Sequence, residues 1–263
     1  MPRLALPASL ALAATCTLAM PACGGDENLN LGYGENARRA YADALEEFYD
    51  DDCFDAKPLF KHVRSEFPYS RFAPLAELRL ADCNFEDGEY AEAIEAYKNF
   101  VRYRPSHVEV PYARYRIALA NFEQIPSEWL LSPPAYERDQ HYAQESLRLF
   151  RGFVLDFPED PLVPPARRMA EEAKALLAAH EYYVAEFYFD RDHPKAAAGR
   201  LRTLLRGYPG SDREPDALWL LAETYQQLGD TKREKRVLHE LLARHGSHEH
   251  AKSARARLAE LGG

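Results

Sequence analysis

The sequence predicts an all-α solenoid of five stacked helix pairs with a C-terminal capping helix. Three observations predict it. Phe67-Pro68, Arg104-Pro105, Phe157-Pro158 and Tyr208-Pro209 each close a stretch with the apolar spacing of two helices, and a fifth stretch closes at Gly246. Pro68 to Pro105 and Pro209 to Gly246 both span 37 residues, with longer intervals of 53 and 51 between them. The same residue classes also recur at fixed distances before each closing residue. Helix pairs repeated in this way bury their apolar faces only against neighbouring pairs, so they stack. Stacked repeats ordinarily bind other polypeptides.

The chain begins with a segment outside that fold. Arg3 is a minimal basic region, Leu4 to Met20 is an uncharged run rich in Ala and Leu, and Ala22 precedes Cys23. Residues 1–22 therefore read as a secretory leader, too short and poorly flanked to span a membrane. The leader's end resembles the lipobox of bacterial lipoproteins, which implies a covalent lipid on Cys23; ordinary secretory cleavage is the alternative. Met20 and Pro21 depart from the commonest lipobox residues, and Cys16 is a poorer candidate because Thr15 precedes it. Residues 23–35 are polar and Gly-rich and read as the lipidated cysteine plus a flexible tether. Gly24, rather than Asp, follows Cys23, which favours sorting to the outer membrane, with the remaining chain in the periplasm.

The solenoid is expected over 36–263. In the first unit, about 36–70, an acidic turn at Asp50-Asp51-Asp52 separates the helices, and the second carries Cys53, Ala56, Phe60 and Val63. In the second, about 71–106, the equivalent positions are Tyr90, Ala93, Tyr97 and Phe100, and Gly88 supplies the turn. A small residue followed by bulky apolar ones four and seven places on draws one helical face, and proline then stops the helix. The third unit, about 107–160, repeats the face as Ala143, Ser146, Phe150 and Phe153. An insert at 124–140 holding Pro126, Pro133 and Pro134 interrupts it and reads as an ordered loop or short turn. Within the insert, Trp129, Leu130 and Leu131 either tuck onto the solenoid or offer an apolar contact to a partner. The fourth unit, about 161–211, opens with a long helix from about Pro165 to Phe189. Its aromatic run at 181–189 is expected to be buried on more than one side, as core rather than a ligand cage. Its second helix carries Pro194, Ala197, Leu201 and Leu204. The fifth unit, about 212–246, has Leu221, Ala222 and Tyr225 in its first helix and turns at Gly229. A charged capping helix follows at 247–261, with Ser247 as the expected N-cap. The pattern is that of tetratricopeptide repeats, with the second and fifth units fitting it best.

Composition and motif content exclude most chemistry. Formal net charge is −9, and removal of the leader's Arg3 makes it more negative. No basic stripe interleaved with aromatics suggests nucleic acid. Gly32-Tyr33-Gly34 superficially begins a dinucleotide motif but follows no strand, and no phosphate loop or nucleophile elbow occurs. His245, His248 and His250 form the densest metal-like cluster, yet they fall at the last turn and cap, where polar residues are ordinary, so no metal is assigned. Cys53 and Cys83 show no metal spacing; in an oxidising compartment they are equally compatible with a disulfide and with two buried thiols.

The irregularities narrow the resemblance. A lipidated cysteine, five tetratricopeptide units, an interrupted third unit and Tyr182-Tyr183-Val184-Ala185-Glu186-Phe187-Tyr188 before the fourth unit's turn together resemble the BamD family. Asp139-Gln140-His141-Tyr142-Ala143, Arg206-Gly207-Tyr208-Pro209 and Tyr69-Ser70 look like it too. The likeness covers about 35–255. It implies a non-enzymatic scaffold lipoprotein of outer-membrane β-barrel assembly, without cofactors beyond the lipid on Cys23. Its C-terminal repeats would dock on the POTRA domains of a BamA-like barrel subunit, and its N-terminal repeats would receive unfolded outer-membrane proteins, with accessory lipoproteins as further partners. Arg200 matches a basic docking region of the family position by position, and Arg202 does not; a solvated helix face is the alternative for both. A pilotin or cell-envelope coordination lipoprotein is the other function class compatible with the repeats.

Overall fold

A computed structural model describes residues 27–50, 52–126 and 133–262. Among these the chain is helical throughout, and five antiparallel pairs follow one another: α1 (Glu27–Tyr49) with α2 (Cys53–Glu66), α3 (Phe72–Glu86) with α4 (Tyr90–Tyr103), α5 (Val110–Phe122) with α6 (His141–Asp156), α7 (Val163–Asp190) with α8 (Pro194–Gly207), and α9 (Glu214–Gln227) with α10 (Thr231–His245). α11 (His250–Glu260) closes the stack against α10 and α9. Each helix packs on the next in sequence. First helices also touch across units, α1 on α3, α5 on α7 and α7 on α9, so they line the inner side of the curve.

Proline stops the second helices as its steric demand requires. Phe67, Arg104, Phe157 and Tyr208 all leave the helical region, with φ between −125° and −135°. Each still donates its N–H to the carbonyl four residues back, on Val63, Phe100, Phe153 and Leu204. Those four residues are the last members of the repeating apolar face. Its small and bulky positions, Ala56, Phe60 and Val63 through Ala197, Leu201 and Leu204, are all buried. Burying each large side chain contributes roughly 1.5–3 kcal/mol. Gly88 and Gly229 turn the chain with φ of 76° and 69°, which other residues adopt only at a cost.

The structure corrects three expectations. α1 starts at Glu27, inside the stretch read as a flexible tether to residue 35. Tertiary contact accounts for this: the Tyr33 ring packs edge-on against Phe67 at 5.3 Å, and its hydroxyl accepts the Tyr69 N–H at 3.3 Å. At the other end, α11 begins at His250 rather than after Ser247, and Ser247 is not its N-cap. The residues after Gly246 are instead drawn into a turn, His248 N–H to His245 O and Ala251 N–H to His248 O, both 2.9 Å. The aromatic run of α7 is only partly buried. Tyr182 and Phe189 join the C-terminal core and Tyr183 meets Tyr136, but Phe187 is exposed with Arg191 3.6 Å over its ring. The long α7 otherwise matches its expected bounds to within two residues.

Cys53, at the start of α2, is disulfide-bonded to Cys83 in α3, with Cα atoms 5.3 Å apart. The bond ties the first unit to the second within one apolar cluster. A crosslink across 30 residues lowers the entropy of the unfolded chain by an amount equivalent to roughly 3–4 kcal/mol.

Candidate functional site

The inner face of the first three units carries an arginine–aromatic network around one buried carboxylate. Tyr41 and Phe48 come from α1, Arg79, Asp82, Phe85 and Glu86 from α3, and Tyr112 and Arg116 from α5. Spacings of three, four and seven put them on one stripe of each helix. Asp82 is only 1% exposed. It accepts hydrogen bonds from the hydroxyls of Tyr97 and, at 2.8 Å, Tyr112. Arg79 Nη1 lies 2.6 Å from its Oδ2 as an ion pair outside hydrogen-bond alignment, and Arg116 Nε lies 3.5 Å from Oδ1. Arg116 also donates to the Tyr97 hydroxyl at 3.1 Å and to Glu86 at 3.2 Å.

Electrostatics hold the tyrosines and arginines of the network in fixed protonation states. Burial, reinforced by the Asp82 charge, pushes Tyr97 and Tyr112 well above the usual phenol range, so both hydroxyls remain donors. Burial opposes the charge on Arg79, but Asp82 and the neighbouring tyrosines outweigh it, and its guanidinium is held more firmly than usual. The rings complete the floor: Arg79 lies over Phe48 and Tyr112, and Arg116 sits 3.9 Å over Phe85. Two cations thus share one carboxylate, and their side chains stay 20% and 14% accessible at the surface. Such a face can recognise side chains and carboxylates of an extended peptide, and it holds no poised nucleophile. Large apolar residues of the first unit are exposed, Tyr49 by 73%, Phe54 by 87% and Tyr69 by 95%. Tyr49 and Phe54 line a cleft of about 670 Å³ beside the disulfide.

The residues expected to act from sequence are dispersed. Cys23, Trp129 and Leu130 lie outside the described residues. After them, the insert's last limb forms a single 3₁₀ turn, Ala135–Glu137, seated on α7. His180 Nδ1 lies 2.7 Å from Tyr136 O, and Gln140 donates to Ala135 O and Arg138 O at 2.8 Å. Arg200 is not a free basic point: its Nη1 pairs with buried Glu181 at 3.3 Å, though its side chain remains 44% exposed. Arg202 folds back on Ala198 O at 3.0 Å. Sequence reading missed the Asp82 network. Its one signal was a carboxylate inside the apolar register Leu78-x-x-Ala81-Asp82-Cys83.

The histidines at the C-terminal end separate. His245 Nε2 lies 2.9 Å from Glu214 Oε1, whereas His248 and His250 face Asp216 of α9. The expected grouping of all three therefore gives way to one of His248 and His250 with Asp216. Glu214 is fully buried and also takes Arg244 at 2.5 Å and the Gly210 N–H. Burial alone would raise its pKa, but the bonds from His245, Gly210 and Arg244 hold it below the usual carboxylate value of 4.5. A depressed folded-state pKa makes stability fully present above the unfolded value and lost as pH falls through the folded one. Thermal unfolding between pH 7 and pH 3 should therefore fall more steeply for the native chain than for Glu214→Gln, which is less stable at pH 7. Parallel curves would remove Glu214 as the source.

A family model described as "YfiO: Outer membrane lipoprotein" matches residues 34–242, from the first helix to near the end of α10. The chain belongs to the YfiO outer membrane lipoprotein family. Among relatives, the outer membrane protein assembly factor BamD of Neisseria meningitidis serogroup A is 28% identical over 218 residues, covering 81% of this chain and 82% of that one. BamD of Xylella fastidiosa strain 9a5c is 27% identical over 179 residues, 66% of this chain and 61% of that one. The match thus spans about three fifths of the Xylella relative's length. Among solved structures, the TPR2AB-domain:pHSP90 complex of yeast Sti1 matches with TM-score 0.44 and 11% identity, covering 86% of each chain. The YfiO match includes all five helix pairs and the inner-face network, and stops before α11. Family and repeat fold are those of a non-enzymatic scaffold. No described helix is long and apolar enough to cross a membrane.

Proposed function

We propose that the chain is a periplasm-facing scaffold lipoprotein of outer-membrane protein assembly. Cys23 carries the lipid anchor; the first repeats receive unfolded outer-membrane proteins and the last repeats dock on the POTRA domains of a BamA-like barrel subunit. The observation that carries this reading is the YfiO family match along the whole repeat stack, together with relatives that are outer membrane protein assembly factors. Geometry supports the division of labour. The exposed Tyr49, Phe54 and Tyr69 and the two arginines around Asp82 all belong to the N-terminal units, where apolar, extended substrate would meet them. Repeat grooves of this kind hold a peptide by its side chains and leave its backbone free for strand pairing. Arg200, half exposed in the middle of α8, is a docking contact in this reading.

The test is affinity purification of the full-length, membrane-anchored protein in mild detergent, with partners identified by mass spectrometry. Recovery of a POTRA-bearing barrel subunit in near-equal amount is the expected result, reduced severalfold by Arg200→Glu in a variant whose helical circular dichroism is intact. Recovery of a secretin or a peptidoglycan-linked complex in its place would overturn the assembly role and leave a pilotin or envelope-coordination scaffold.

A further inference from the structure

Where the stack ends, Asp216 on α9 meets His248 and His250 at the start of α11. His250 Nε2 lies 3.3 Å and His248 Nε2 3.9 Å from the same Asp216 oxygen, Oδ1, and one ligand atom from each residue falls within 4.8 Å of the other two. Around a tetrahedral zinc with bonds of roughly 2.0–2.1 Å, ligand atoms stand about 3.3–3.4 Å apart, so this trio is already close to a ligating arrangement. We propose that Asp216, His248 and His250 bind a borderline divalent transition-metal ion, of which Zn²⁺ is the type, and that the ion ties the capping helix to the fifth repeat.

Three further features fit a site. The His250 ring is stacked on Trp219, with centroids 5.3 Å apart and planes 9° apart, which fixes its direction before any ion arrives. The three side chains are 24–30% accessible, so a hydrated ion can reach them and water can fill the remaining position. Arg213 lies on the other Asp216 oxygen, 3.6 Å from Oδ2, leaving Oδ1 to the histidines. The His250 backbone N–H stands 3.5 Å from His248 Nδ1, at the limit of a hydrogen bond. That contact lapses when metal at Nε2 leaves the proton on Nδ1, so it opposes binding only weakly. His245 is excluded because its Nε2 is engaged by Glu214. His248 and His250 lie beyond residue 242, where the family match ends, and the site does not depend on the assembly role.

The test uses the mature chain without a polyhistidine tag. Titrated with Co²⁺ alone, it should take up one equivalent with the visible absorption of a four-coordinate ion. Zn²⁺ should displace the cobalt and raise the melting temperature by a few degrees at saturation. Asp216→Asn, His248→Gln and His250→Gln should each weaken binding at least tenfold and abolish the thermal shift, while His245→Gln leaves cobalt uptake unchanged. Circular dichroism establishes that each variant is folded. Absence of one-equivalent binding by the native chain, or equal binding by a folded variant lacking all three ligands, would overturn the site.

Discussion

Ala93→Glu should prevent the second repeat from folding and carry its neighbours with it. Ala93 is fully buried in α4, in a cluster with Leu78, Ala81, Tyr97, Phe100, Val110, Ala113 and Ile117. Those residues come from three helices, so the carboxylate would enter a space shared by two units and leave it neither solvated nor paired. An isolated buried charge costs several kcal/mol even after relaxation, comparable to the total stability of many domains at about 5–15 kcal/mol. In a one-dimensional stack, loss of one interior unit also exposes the faces of both adjoining ones. Far-ultraviolet circular dichroism should show a large loss of helix at 25 °C, and Ala93→Gly, which adds no charge, a much smaller one. A native-like spectrum and melting temperature for Ala93→Glu would refute this account of the packing.

Removing Asp82 should be nearly as damaging for the opposite reason. Asp82→Ala leaves two guanidiniums without their shared counter-charge, and the Tyr97 and Tyr112 hydroxyls without this acceptor. Truncating one partner of a buried, hydrogen-bonded ion cluster costs roughly 3–5 kcal/mol. Asp82→Asn keeps the shape and one acceptor oxygen, and should lose roughly half as much. Chemical denaturation of both variants measures this, and the double variant Asp82→Ala with Arg116→Met should recover part of the loss because it removes a stranded charge. Additive losses would mean that the two side chains do not act on one another.

The repeats were legible because their determinants are local. Val63, Phe100, Phe153 and Leu204 hold equivalent roles in their helices, and proline follows each at a fixed distance, so each boundary is set within a few residues of sequence. Boundaries that depend on distant contacts were not legible. Nothing near Glu27 announces a helix, since Tyr33 acquires its partners, Phe67 and Tyr69, only when the first unit closes. Ser247 has the right chemistry for a cap, but His248 and His250 are drawn to Asp216 and Trp219 on α9, and the chain turns first.

The interaction residues divide in the same way. The sequence by itself determined the helix-pair stack, its five units, its turns at Gly88 and Gly229 and its likeness to one family, because periodicity and turn chemistry are written in short stretches. Only the tertiary structure decided that Cys53 bonds Cys83, that Arg200 is partnered by Glu181, and that Asp82 gathers Arg79, Tyr97, Tyr112 and Arg116. Apart from Arg79–Asp82 within α3, each of those contacts joins residues 15–34 positions apart on different helices, and their charges and hydroxyls carry no period. Helical geometry fixes which side of a helix a residue occupies; which groups then meet across the interface depends on how neighbouring helices settle, and that is decided by packing.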